Sequence, residues 1–135
     1  MGKTPDQVVI PNGLRYTREH EWVRLDGEAA VVGVTDYAQD KLGDIVYVEL
    51  PKPGAAVRCM KPCGVIESVK AASDLFSPLS GQVLAANGKL DTAPEQINKD
   101  PYGAGWLFRV TPTDLKELGQ LLDAAAYRKL LESLE

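Results

Sequence analysis

Gly64-Val65-Ile66-Glu67-Ser68-Val69-Lys70-Ala71-Ala72-Ser73-Asp74-Leu75-Phe76-Ser77-Pro78-Leu79-Ser80-Gly81 is the stretch on which the fold turns. Gly64 to Val69 reads as a short strand, Leu75-Phe76 resumes extended structure, and Pro78 to Gly81 is a turn. Two apolar strands therefore flank a small polar tip, with Lys70 near its middle. A side chain there is exposed, and Ala71, Ala72 and Ser73 leave room for an enzyme to close around it. By residue type alone Lys70 is an ordinary solvated turn lysine, because exposed lysines are commonplace.

The same texture continues upstream. His20 to Leu25 alternates, Asp26-Gly27 is a hairpin turn, and Ala29 to Val34 returns as an apolar strand. Thr35-Asp36 offers a helix cap, so Asp36 to Leu42 is expected as a short helix stopped by Gly43. Ile45 to Leu50 is a β-branched strand ended by Pro51-Lys52-Pro53-Gly54, and Ala55 to Arg58 is another. Residues 1–13 read as a loose lead-in closed by Pro11-Asn12-Gly13, leaving 14–135 as a single domain.

Downstream, Gln82 to Ala86 and Gly105 to Val110 are strands, and Asn87 to Asp100, rich in turn formers, is expected to be loop. The texture changes after Pro112, and helices are expected from about residue 113. Asp114 with Glu117 fits a capping box, and Leu115, Leu118, Leu121 and Leu122 share one helical face. Asp123 opens a second helix with Tyr127, Leu130, Leu131 and Leu134 facing inward. Many short strands followed by helices describe a mainly β fold, a small sandwich or barrel with helical trim.

Composition excludes several function classes. The chain has 135 residues, 44% of the hydrophobic class and 25% charged, with a formal net charge of -4. That suffices for one core. A net acidic chain without a long basic run is a poor nucleic-acid binder. No apolar run approaches the roughly 18 residues a membrane span needs. Met1 to Pro11 lacks the layout of a signal peptide, so a cytoplasmic location is expected. With one histidine and two cysteines, a multi-histidine metal site and an iron–sulfur cluster are excluded, and no metal site is expected. His20, at a strand start, is read as packed or hydrogen-bonded. Cys59 and Cys63 flank a proline in what reads as a turn, and are taken as ordinary thiols.

Glu67 to Asp74, followed by Ser77-Pro78-Leu79-Ser80-Gly81, resembles the lipoylation motif of the glycine cleavage system H proteins. The resemblance spans nearly the whole chain. It takes in His20-Glu21-Trp22, Gly33 to Gln39, Leu42-Gly43-Asp44 and Tyr47 to Pro51. Pro101-Tyr102-Gly103, Gly105-Trp106 and Leu121-Leu122-Asp123 with Tyr127 follow in order. It implies a hybrid β-sandwich or barrel of the lipoyl-carrier type, with a short helix and C-terminal helices. It also implies lipoate in amide linkage on Lys70, with Glu67, Ser68, Val69, Ala71 and Ser73 as the surrounding motif. Related biotin carriers usually set methionines on both sides of their lysine, whereas Val69 and Ala71 stand here, which favours lipoate.

The resemblance further implies a carrier whose catalysis resides in its partners. A pyridoxal-phosphate decarboxylase, the P protein, would pass an aminomethyl group from glycine to the lipoyl disulfide. An aminomethyltransferase, the T protein, would release ammonia and load tetrahydrofolate, and dihydrolipoamide dehydrogenase, the L protein, would reoxidise the dithiol. Lipoate-attaching enzymes complete the partner set, and neither nucleic acid nor membrane belongs to it. Family members fold the loaded arm into a cleft, whose matching positions here are Glu21, Asp74 and Glu19, with Lys41 where some members have a histidine. By residue type, Glu21 also reads as a solvent-exposed strand residue. Two alternatives stay open beside glycine cleavage: an H-like carrier of sulfur intermediates in a sulfur-oxidation system, and a relay that donates its lipoyl group to other complexes.

Overall fold

The computed structural model describes residues 2–134; Met1 and Glu135, which end the expected lead-in and domain ranges, lie outside them. In chain order the elements are β1 (Arg15–Tyr16), β2 (Glu21–Asp26), β3 (Ala29–Val34), α1 (Asp36–Leu42), β4 (Ile45–Glu49), β5 (Ala56–Val57), β6 (Pro62–Ser68), β7 (Ala72–Phe76), β8 (Gly81–Ala86), α2 (Gln96–Lys99), β9 (Phe108–Pro112) and α3 (Ala124–Ser133). Two 3₁₀ segments, Gly88–Asp91 and Leu115–Gln120, flank α2 and β9. The strands form two antiparallel sheets: one ordered β1-β2-β3-β9-β8-β5, the other β4-β6-β7. The fold is mainly β, as the alternation and turn residues imply.

Alternation in β2 and β3 builds two cores rather than one. Val23, Ala30, Val32 and Val34 point into the main core, where they meet Ile45, Val48, Ile66 and Leu75 of the smaller sheet. Trp22 and Val31 point the other way and pack with Tyr16, Tyr127 and Leu131 beneath α3. β3 is therefore buried along its whole length, on both faces. Gly33 lies directly opposite Trp22 in the ladder, and a Cβ there would stand 2.6 Å from the indole. Only glycine lets that ring lie flat across the strand. The Trp22 indole N–H donates to the Pro101 carbonyl at 3.0 Å.

Thr35 caps α1 by accepting the Ala38 N–H at 3.2 Å. Gly43 ends the helix at φ 81°, in the left-handed region that favours glycine, and its N–H returns to the Gln39 carbonyl. The helix therefore stops sharply and delivers the chain into β4.

Several expectations change. Asn87–Asp100 is not wholly loop: it holds the 3₁₀ segment Gly88–Asp91 and α2, each seating one buried side chain, Leu90 and Ile97. The last strand begins at Phe108 rather than Gly105 and runs to Pro112. The first C-terminal helix is 3₁₀; Asp114 accepts the Lys116 N–H, but Glu117 binds the Ser80 N–H and hydroxyl at 2.8 Å each instead of closing a capping box. Of the expected inward leucines, Leu115 and Leu134 are exposed. The lead-in is tied down as well. Val8 is buried against the α3 core, the Lys3 ammonium pairs with Asp36 at 2.8 Å, and Arg128 donates to the Pro5 carbonyl.

Candidate functional site

The β6–β7 hairpin projects Lys70 from the end of the smaller sheet. Glu67 pairs with Ala72 in the ladder, and Ser68 to Ala71 form the turn. Ser68 organises it. Its N–H donates to the Ala71 carbonyl at 2.8 Å, and its hydroxyl oxygen accepts the Lys70 and Ala71 N–H groups at 3.3 and 3.1 Å. Three of the four backbone donors of this very small loop are thus satisfied within it, leaving the side chains free. Val69 is 69% exposed, and Lys70, Ala71, Ala72 and Ser73 are all exposed. Glu67 is half-buried, level with Tyr47 of β4 and Ala72 of β7.

The tip rests on the corner between α1 and β4. The Val69 N–H donates to the Asp44 carbonyl at 3.0 Å. Gly43 lies beside the lysine itself, and a Cβ there would stand 3.2 Å from Lys70 Cε. The missing side chain leaves room for the lysine methylenes and for a longer acyl chain extending from them. Exposed small neighbours and this open flank fit an amide-linked lipoyl group.

A second polar centre lies under β7. Glu21 is only 1% exposed, which corrects the reading of it as a solvent-exposed strand residue. Its carboxylate accepts the Thr17 hydroxyl at 2.5 Å and the Phe76 N–H at 3.2 Å. Burial pushes the Glu21 carboxyl up to about 8, against the pull of those two hydrogen bonds and with the Glu19 charge adding to the rise. Glu19 is exposed, and its N–H donates to the Thr17 hydroxyl oxygen at 3.2 Å. Glu19 and Glu21 are therefore grouped around Thr17. Asp74 and Lys41 are both exposed, and among the described residues neither makes a side-chain hydrogen bond or ion pair to them. Lys41 instead lies 5.3 Å over the Tyr37 ring.

Three comparisons bear on this arrangement. Residues 14–134 match the family model described as Glycine cleavage H-protein. The chain belongs to the glycine cleavage H-protein family. A glycine cleavage system H protein of Anaeromyxobacter sp. (strain K) is 55% identical over 126 residues, covering 93% of this chain and 98% of that protein. One from Thermus thermophilus is 49% identical over 124 residues, covering 92% and 97%. The crystal structure of a glycine cleavage system H protein from Mycobacterium marinum superposes with a TM-score of 0.82 at 41% identity, covering 89% of this chain and 97% of that one.

Within this H-protein fold, His20 is structural. Its Nδ1 lies 2.8 Å from the Tyr127 hydroxyl, which in turn lies 2.8 Å from Thr35 Oγ1. Burial pulls the imidazole down to about 4, so at neutral pH it is uncharged and shares a hydrogen bond with the tyrosine hydroxyl. The cysteines are free thiols. Cys59 sits in a turn and donates to the Pro78 carbonyl at 3.3 Å. Cys63 lies on β6, where burial, with the Glu21 charge adding, raises its thiol to about 12 and keeps it protonated and unreactive. Two residues of the site escaped the sequence reading: Thr17, which organises Glu19 and Glu21, and Asn98, which holds the corner under the tip. The apolar anchor Ile97 beside Asn98 is the signal that a stretch of turn formers is pinned to the core.

Proposed function

We propose that this chain is the lipoyl carrier of the glycine cleavage system, with lipoate in amide linkage on Lys70. The reading has it exchange with the decarboxylase (P protein), the aminomethyltransferase (T protein) and dihydrolipoamide dehydrogenase (L protein) in the cytoplasm. The observation that carries it is a lysine at an exposed hairpin tip, between Val69 and Ala71 and beside the open flank at Gly43, in a chain of this family. Glu67, Ser68, Val69, Ala71 and Ser73 would form the surface that the attaching enzyme reads.

When attached, the lipoyl group supplies a disulfide able to take up an aminomethyl group and two electrons. Every role assigned to this chain's own residues is one of presentation. Ser68 holds the turn, and Asp44 and Gly43 support it while leaving the arm free. Acylation removes the Lys70 charge, so the arm can lie against the protein, and tethering raises its effective concentration at successive active sites. Glu21 supplies a buried carboxyl and Glu19 and Asp74 supply exposed carboxylates, groups suited to an amine. Lys41 is the departure from that chemistry, since an ammonium repels an ammonium. No group of the chain is given a bond-breaking role, so the carrier is non-catalytic on this reading.

Attachment is tested by intact mass after incubation with a lipoate ligase, lipoate and ATP. A single lipoyl increment, absent from Lys70→Arg, is expected. An increment that survives Lys70→Arg, or none on the unaltered chain, refutes the assignment.

A further inference from the structure

We propose that Asn98 is the positioning residue for Lys70: its side-chain amide fixes the chain corner on which the lysine tip is seated. The inference rests on the reading of Lys70 as the attachment site. Asn98 lies on α2, next to the fully buried Ile97 that pins this single turn into the main core. Its Nδ2 donates to the Gly43 carbonyl at 2.9 Å and to Gln39 Oε1 at 3.0 Å, and its Oδ1 accepts the Ile45 N–H at 2.9 Å. The two backbone contacts bracket Asp44. The Asp44 carbonyl takes the Val69 N–H, and Val69 is the residue before Lys70.

The orientation of the amide is dictated by its neighbours. The Asp36 carboxylate offers only acceptors, so Gln39 turns Nε2 to it at 2.7 Å and leaves Oε1 facing Asn98. The Ile45 N–H demands an oxygen on the other side. Only an amide supplies two donors and an acceptor in that arrangement; aspartate has the shape and lacks the donors. Asp36 itself is held by the Lys3 ammonium and the Val9 N–H at 2.8 and 2.9 Å. A continuous relay therefore runs from the N-terminal segment through Asp36, Gln39 and Asn98 to the corner beneath the tip.

No other side chain hydrogen-bonds to the Gly43 carbonyl or the Ile45 N–H among the described residues. Losing the amide frees both ends of the Asp44 corner and with it the anchor of Val69. The fold survives, because α2 is seated by Ile97 and β4 by its ladder with β6. What is lost is the fixed direction in which Lys70 leaves the surface. A reacting amine presented loosely reacts more slowly than one held in place.

Three measurements on the full apo chain test this: Val69 amide exchange by NMR, the rate of lipoyl attachment by a ligase, and the melting temperature. Asn98→Asp turns two donors into an acceptor facing the Gly43 and Gln39 oxygens, and Asn98→Ala removes the group. In both, Val69 exchange should accelerate roughly tenfold, the equivalent of one lost hydrogen bond. Attachment kcat/KM should fall on the order of tenfold. Val83→Ala, in the core on β8, is the control: it lowers the melting temperature and leaves both readouts unchanged. Wild-type Val69 protection and attachment in Asn98→Asp overturn the proposal; if that variant does not fold, the same result in Asn98→Ala does. An adduct that persists in Lys70→Arg instead defeats the functional reading on which the proposal rests.

Discussion

The buried carboxyl of Glu21 makes stability depend on pH in a way that Glu21→Gln should abolish. Its carboxyl lies at about 8 in the folded chain, against an ordinary 4.5. Between those values the folded state keeps a proton that the unfolded state has released, so stability falls as pH rises. The contribution is complete below 4.5 and gone above about 8. His20 acts in the opposite sense: drawn down to about 4 from 6.5, it weakens the fold as pH falls through that range. Above pH 6.5 only the Glu21 slope remains of these two. One proton over the interval from there to 8, at about 1.4 kcal/mol per pH unit, withdraws roughly 2 kcal/mol. That corresponds to a fall of about 8 °C in melting temperature for a domain of this size. Urea unfolding followed by tryptophan fluorescence at pH 6.5 and 8.5 measures it, since Trp22 is fully buried. The wild-type midpoint should drop and that of Glu21→Gln should stay level. Equal drops in the two proteins, or a Glu21 carboxyl titrating at an ordinary value by carbon NMR, would refute the reasoning.

Three further outcomes are expected. Lys70→Ala should unfold within about 0.5 kcal/mol of wild type, because an exposed tip side chain without partners contributes little; a larger shift in urea midpoint contradicts the open tip described here. Gly43→Ala should cost about 1 kcal/mol through its positive φ and slow lipoyl attachment by crowding the Lys70 methylenes, read by urea titration and intact mass. Glu117→Ala leaves the Ser80 N–H and hydroxyl without their acceptor, so about 1–3 kcal/mol should be lost with attachment at Lys70 unchanged.

The strands and the tip were legible because they depend on near neighbours in sequence. Alternation, Asp26-Gly27, the Thr35 cap and the Gly43 stop each act over a few residues, and β2, β3 and α1 stand close to where those signals put them. Asn87–Asp100 was not legible. Its helical turns hold one apolar anchor each, Leu90 and Ile97, and Pro94 between them breaks any continuous helix that their seven-residue spacing would fit. Glu117 has capping-box spacing, but the 3₁₀ geometry of its segment leaves the carboxylate to Ser80, 37 residues away in sequence. Glu21 was open to two readings for a similar reason. Its burial comes from β7, whose Phe76 N–H arrives from 55 residues downstream. Lys70 could be picked out only with the help of the surrounding blocks of resemblance, since a turn lysine carries no chemical mark of its own.

The carrier assignment meets its most direct test in reconstitution. The chain is lipoylated, its mass increment on Lys70 confirmed, and it is then combined with the decarboxylase, the aminomethyltransferase and dihydrolipoamide dehydrogenase, with glycine, tetrahydrofolate and NAD. Glycine-dependent NADH formation that requires this chain, and vanishes with Lys70→Ala, is the expected result. No NADH from the lipoylated chain, or undiminished NADH from Lys70→Ala, would contradict it.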